Sequence, residues 1–153
     1  MVWSCLVSIL PGMAQTEKLT DYVNPFVGTD GYGNVYPGAQ IPFGGIQISP
    51  DTDSRFYDAA SGYKYNHLTL MGFSLTHLSG TGIPDLGDFL FIPGTGEMKL
   101  EPGTHEDPDQ GYRSRYSHDK EWASPNYYAV ELADYGVKAE MTSGVRSGMF
   151  RFT

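Results

Sequence analysis

Apolar positions in this chain recur with a period of two over short stretches, which is the signature of half-buried strands rather than helices. The clearest case follows Pro125, where Tyr128, Val130 and Leu132 fall on one face. A turn at Asp134-Tyr135-Gly136 comes next, and Val137, Ala139 and Met141 return on the same face. Two alternating runs around a glycine-bearing turn predict an antiparallel hairpin. Ile46-Gln47-Ile48 alternates as a shorter strand and is expected to stop at Pro50. Leu68, Leu70, Phe73 and Leu75 share a face with one slip at Met71-Gly72, where glycine suggests a bulge. Phe89-Leu90-Phe91-Ile92 is continuously apolar, as expected of a strand covered on both sides, and Met98-Lys99-Leu100 reads as a short neighbour.

Polar and turn-forming stretches separate these runs. From Thr20 to Gly45 the chain is dense in turn chemistry, with Asn24-Pro25, Gly28-Thr29-Asp30-Gly31, Gly33-Asn34, Pro37-Gly38 and Pro42-Phe43-Gly44-Gly45. Val23, Phe26, Val35, Tyr36 and Ile41 make it too apolar for a flexible linker, so it reads as an ordered loop packed on a core. Residues 101–121 are strongly polar and read as an exposed excursion. The last run, Val145 to Thr153, stops without a capping turn, and an all-β sheet ending there would carry an unpaired edge. The expectation is therefore an all-β, antiparallel β-sandwich that is incomplete at its C-terminal end.

Composition supports that fold and narrows the function. Gly 19, Pro 10, Tyr 11 and Phe 8 supply turn formers and aromatic strand formers, so long helices are not expected. A formal net charge of -8 leaves no basic field for a phosphate backbone, which argues against nucleic acid as a partner. Residues 1–14 read as an export signal, with an apolar run from Val2 to Leu10, a Pro11-Gly12 break and small residues at Gly12-Met13-Ala14. No Lys or Arg precedes the run, and it is too short for a permanent bilayer span. Cys5, the single cysteine, lies inside it, so residues 15–153 carry no disulfide. That pattern suits an exported protein of a bacterial periplasm or cell surface.

Four phrases carry a family resemblance. They are Val23-Asn24-Pro25-Phe26-Val27-Gly28-Thr29, Gly33-Asn34-Val35-Tyr36-Pro37-Gly38-Ala39 with Pro42-Phe43-Gly44, the stretch Gly72-Phe73-Ser74-Leu75-Thr76-His77-Leu78-Ser79-Gly80-Thr81-Gly82, and Asp85-Leu86-Gly87-Asp88. In this order and spacing they resemble the N-terminal region of glycoside hydrolase family 92. Ser124-Pro125-Asn126-Tyr127-Tyr128 and Glu140-Met141-Thr142 to Arg146 extend the likeness over nearly all of residues 15–153. The resemblance implies a galactose-mutarotase-like supersandwich packed on its own C-terminal (α/α)6 barrel, with the site in the cleft between. It further implies calcium-dependent, inverting release of terminal mannose from an α-mannoside glycan, of α-1,2 type. The catalytic acid, the catalytic base and the calcium ligands would come from the barrel, leaving no catalytic residue here. A stand-alone carbohydrate-binding module and a purely architectural domain are the competing readings, and the coding sequence beyond Thr153 separates them.

Within this frame the residues open to a substrate-binding role are Gly28, Thr29, Asp30, His77, Gly80, Thr81, Gly82 and Asp85. Gly80-Thr81-Gly82 lets backbone approach a sugar closely while Thr81 offers a hydroxyl, or it is simply a glycine-rich corner. Gly28-Thr29-Asp30 has similar composition and reads first as a turn bordering the pocket. A neutral His77 imidazole suits a sugar hydroxyl, whereas strand histidines more often satisfy nearby backbone. An inverting glycosidase needs two carboxyls about 6.5–9.5 Å apart, and Asp85 with Asp88 is the tempting local pair, though the spacing around Gly87 also suits a tight turn. Asp51 and Asp53 read as turn residues. His67, His105 and His118 show no zinc spacing, and Glu101 to Asp109 lacks the pattern of a calcium loop. Trp122 is the aromatic side chain to test for a sugar subsite.

Overall fold

The structure, a computed structural model, describes residues 17–53, 57–85 and 87–153; the side chain of Asp58 is also left undescribed, and the export-signal reading of residues 1–14 lies outside this range. Nine short strands follow in chain order: β1 (Ala39–Gln40), β2 (Gln47–Asp51), β3 (Thr69–Leu70), β4 (Gly72–Ser74), β5 (Ser114–Arg115), β6 (Glu121–Ser124), β7 (Tyr127–Leu132), β8 (Val137–Ser143) and β9 (Gly148–Phe152). Every named pairing is antiparallel. The sheets run β1-β2-β4, β3-β5 and β6-β7-β8-β9.

Local chemistry builds the four-stranded sheet. Pro125 and Asn126 form the two-residue link between β6 and β7, where proline presets the first turn position and Asn126 takes φ 60° at the second. The Asn126 side chain then accepts from the Ser143 N–H at 3.0 Å and donates to the Ser143 carbonyl at 2.9 Å, which pins β8 to the turn. Alternation does the rest. Tyr128, Val130 and Leu132 of β7 and Ala139 and Met141 of β8 are essentially sealed from water, as predicted for the hairpin. They meet Ile48, Leu70 and Phe73 from the other sheets to form one core. A side chain the size of Val130, Leu132, Ile48, Leu70, Phe73 or Met141 contributes about 1.5–3 kcal/mol when fully buried.

The departures from the sequence reading have physical causes. β2 does not stop at Pro50 but continues through it to Asp51. Pro50 pairs with Phe73, whose own N–H and C=O turn away to bond Phe91, so this register position asks no hydrogen bond of β2. On the other side β1 covers only Gln47 and Ile48, and the missing proline N–H leaves no partner stranded. The slip at Met71-Gly72 is a change of sheet rather than a bulge within one: β3 pairs with β5, and β4 with β2.

The polar stretch 101–121 is not wholly an excursion. Arg113, Ser114 and Tyr116 are buried, because β5 is the one strand that pairs with β3 among the described residues and carries its neighbours inward. Arg113 donates to the Thr52 carbonyl at 2.6 Å and to Thr69 Oγ1 at 3.2 Å, which lets a guanidinium sit inside. Conversely, the Phe89–Ile92 run is no doubly covered strand. Among the described residues it makes one bridge, Phe91 to Phe73, and leaves Phe89, Leu90 and Phe91 exposed; Met98 and Leu100 are exposed and lie outside any strand.

Candidate functional site

The site lies on β2 and β4, on the side opposite the core. Ile48 and Pro50 alternate with Ser49 and Asp51 along β2, and Phe73 alternates with Ser74 along β4, so burying Ile48 and Phe73 turns Asp51 and Ser74 the other way. His77 follows β4 directly. Its Nδ1 donates to the Gln47 carbonyl at 2.8 Å, and its Nε2 stands 3.0 Å from both Asp51 Oδ1 and Ser74 Oγ. One ring nitrogen thus faces a carbonyl and the other a carboxylate, a pairing that favours the doubly protonated ring. Burial, the largest influence, pushes His77 down, but the Asp51 charge, the Asp51 hydrogen bond and the Gln47 carbonyl together raise it above its ordinary value. The Tyr36 ring, 5.1 Å from the imidazole between centroids, closes a further side.

Asp51 is the hinge of the arrangement. Its side chain is 6% exposed, and Oδ1 is engaged by His77 while Oδ2 is buried without a hydrogen-bond partner among the described residues. A buried carboxylate oxygen left this way is costly unless something donates to it. Asp51, Ser74 and His77 line an open cavity of about 360 Å³, whose rim includes Asp85, Gly87 and Asp88. Gly62 completes the lining at φ +88°, and a Cβ there would stand 2.2 Å from Asp51 Oδ1 and 3.1 Å from the His77 ring. Only a glycine leaves the imidazole–carboxylate pair undisturbed.

Of the residues singled out from sequence, His77 and Asp85 line this cavity. Gly28, Thr29 and Asp30 belong to a loop whose Thr29 Oγ1 donates to the Phe26 carbonyl at 2.8 Å and whose Thr29 carbonyl accepts from Tyr65. That loop continues to Asn34, which accepts from the Gly80 N–H at 2.7 Å, so the two glycine loops are tied together beside the cavity without lining it. Thr81 Oγ1 donates to the Ile83 carbonyl at 3.2 Å, and Gly82 packs against the Tyr57 ring. Asp88 sits at φ 53° and accepts from Thr76 Oγ1 at 2.6 Å, a side-chain partner 12 residues away rather than a backbone N–H of its own turn.

Asp51 overturns its turn reading: it is a buried strand residue, in register with Gly72. Its signal was the alternation Ile48, Ser49, Pro50, Asp51, hidden because a proline was read as the end of the strand. Ser74 and Gly62 went unselected, since nothing local marks a serine or a glycine whose partner lies elsewhere in the chain. No three carboxylate, imidazole or thiol groups converge on a metal-binding position among the described residues.

The class of the domain is thus an antiparallel β-sandwich with an open, polar, glycine-lined cavity on its outer face. Residues 22–153 match the family described as "Glycosyl hydrolase family 92 N-terminal domain". The chain belongs to that family. It is 30% identical over 133 residues to an uncharacterized secreted glycosidase of Arthroderma benhamiae, covering 86% of this chain and 17% of that protein. The solved structure of the family 92 glycosyl hydrolase ccman5 superposes with TM-score 0.72 and 32% identity, over 88% of this chain and 18% of that one. A family 92 inverting mannosidase from Bacteroides thetaiotaomicron shares the fold at TM-score 0.62 and 24% identity, over 90% of this chain and 18% of its own. The chain therefore spans less than a fifth of the length of these relatives.

Proposed function

We propose that this domain forms one wall of the sugar pocket of an exported glycoside hydrolase that releases terminal mannose from α-1,2-linked mannosides with inversion. The observation that carries the reading is the open cavity of about 360 Å³ lined by Ser74, His77, Asp85 and Asp88, with Asp51 and its His77 partner in the same wall. Sugar hydroxyls are donors suited to the Asp85 and Asp88 carboxylates that line it. The loops Gly28-Thr29-Asp30 and Gly80-Thr81-Gly82, joined through the Gly80–Asn34 hydrogen bond, border the same pocket on its outer side. The family resemblance and the relative named an inverting mannosidase support the mannose substrate and the inverting outcome, and the relative named a secreted glycosidase supports export. In this reading the reacting carboxyls and the calcium site that the family resemblance implies lie on polypeptide outside residues 1–153, the (α/α)6 domain.

The test uses the full-length protein. Mannose should be released from α-1,2-mannobiose, and the β-anomer should appear first in the proton NMR spectrum. Asp85→Ala should lower kcat/KM by about tenfold, the equivalent of one lost hydrogen bond of about 1.4 kcal/mol. Absence of mannose release sinks the mannosidase reading; release with an unaltered Asp85→Ala kcat/KM removes this cavity from the pocket.

A further inference from the structure

We infer that Trp122 marks a second glycan-holding site, on the face of the sandwich opposite the His77–Asp51 cavity. Glu121 and Ala123 of β6 pair with Val130 and Tyr128, which point into the core, whereas Trp122 pairs with Ala129 and therefore points outward. Its indole is 64% exposed. A large flat aromatic on an outer strand needs a reason, because Trp is normally drawn inward. Beside it the 3-10 turn Leu19–Tyr22 raises a second wall, and the two enclose a groove of about 470 Å³ that includes Thr20, Asp21, Asn24 and Ser124. Among the described residues the Thr20 and Ser124 hydroxyls and the Asp21 carboxylate make no hydrogen bond. Asn24 uses its oxygen on the Phe26 N–H at 3.0 Å, which leaves its amide N–H groups to donate.

The groove thus offers one aromatic face, one carboxylate, one amide and two hydroxyls. A pyranose ring matches this set, with its C–H face on the indole and its hydroxyls on the polar groups. Anionic ligands are disfavoured by Asp21 and by the net charge of -8. A quaternary ammonium would ask for an aromatic cage, and here there is one aromatic wall. Because two core-packed sheets separate the groove from the cavity, one sugar cannot occupy both, and a long or branched glycan bound here is held rather than cut. The choice of a mannan as ligand rests on the function proposed above, while the aromatic groove itself does not.

The experiment is retardation of the full-length protein in native gels containing soluble α-mannan, alongside kcat/KM on an aryl α-mannoside too small to reach both sites. Trp122→Ala should weaken retardation by about 3- to 10-fold, the span expected of an aromatic contact, and leave the aryl-mannoside kcat/KM within about 1.5-fold. Trp122→Phe should restore most of the retardation, and Asp21→Ala should lose part of it. Wild-type retardation of Trp122→Ala overturns the site. So does a Trp122→Ala protein whose thermal midpoint falls while Asp21→Ala keeps full retardation, since the indole is then a packing group covered by other polypeptide. Trp122-dependent retardation by a protein that leaves aryl mannosides intact upholds this site and sinks only the mannosidase reading.

Discussion

Exchanging Asp51 for Ala is expected to destabilise the folded protein by about 3–5 kcal/mol, the usual consequence of leaving one member of a buried ion pair without the other. The magnitude follows from burial: the side chains of His77 and Asp51 are 3% and 6% exposed, so water cannot replace the lost partner. Urea denaturation measures it directly. The double exchange Asp51→Leu with His77→Phe should recover most of the loss, because a well-packed apolar pair replaces charges that are costly to bury. It should also abolish the activity proposed for the cavity. A single variant within about 1 kcal/mol of the parent would mean that His77 is neutral and accepts from Ser74 instead.

The same pair has a pH signature. His77 titrates above its ordinary value of 6.5 in the folded protein, so its stabilising contribution is complete below about pH 6.5 and is lost as the pH rises through the folded value. Stability should therefore fall on the alkaline side, and Asp51→Ala should flatten that slope. A parent and variant with parallel pH profiles would dismiss the imidazolium.

A comparable loss is expected from Glu121→Gln, at about 3 kcal/mol by the same measurement. The Glu121 carboxylate is 1% exposed and accepts from Tyr63 at 2.9 and 3.1 Å, from Tyr128 and from His118 Nδ1 at 2.6 Å. His118 Nε2 meanwhile donates to the Tyr65 carbonyl at 2.7 Å, and its ring stacks on Tyr65 with centroids 3.9 Å apart. Burial above all holds the Tyr63 and Tyr128 phenols far above their usual range, so both remain donors. A glutamine would present an N–H group where only acceptors fit. Tyr128→Phe should cost less, about 1 kcal/mol, since it removes one donor and leaves the carboxylate its others. Equal losses for the two variants would show that packing of the ring, not the buried carboxylate, holds this corner.

These two clusters show where sequence reasoning reaches its end. The meander from β7 to β9 was legible because its strands pair with their chain neighbours through short turns, as at Asp134-Tyr135-Gly136, whereas β6, Glu121–Ser124, begins inside the polar stretch and carries no such signal. Alternation alone told Val130 and Leu132 from Glu131. The family phrases around Gly72–Gly82 likewise brought His77 into view. Nothing local, however, pairs His77 with Asp51 at a separation of 26 residues, or Glu121 with Tyr63 at 58. Those partners are selected by register between strands distant in sequence.

By itself, then, the order of residues determined the all-β class, the hairpin strands, the core face of each and the family to which the chain belongs. Tertiary structure alone decided that β2 runs on through Pro50, that Arg113 is interior, and that Asp51 rather than the Gly28 and Gly80 loops lines the cavity. The division has one cause. A period of two and a turn residue act over a few positions, whereas a buried charge finds its counterpart only after separate strands have met in a particular register.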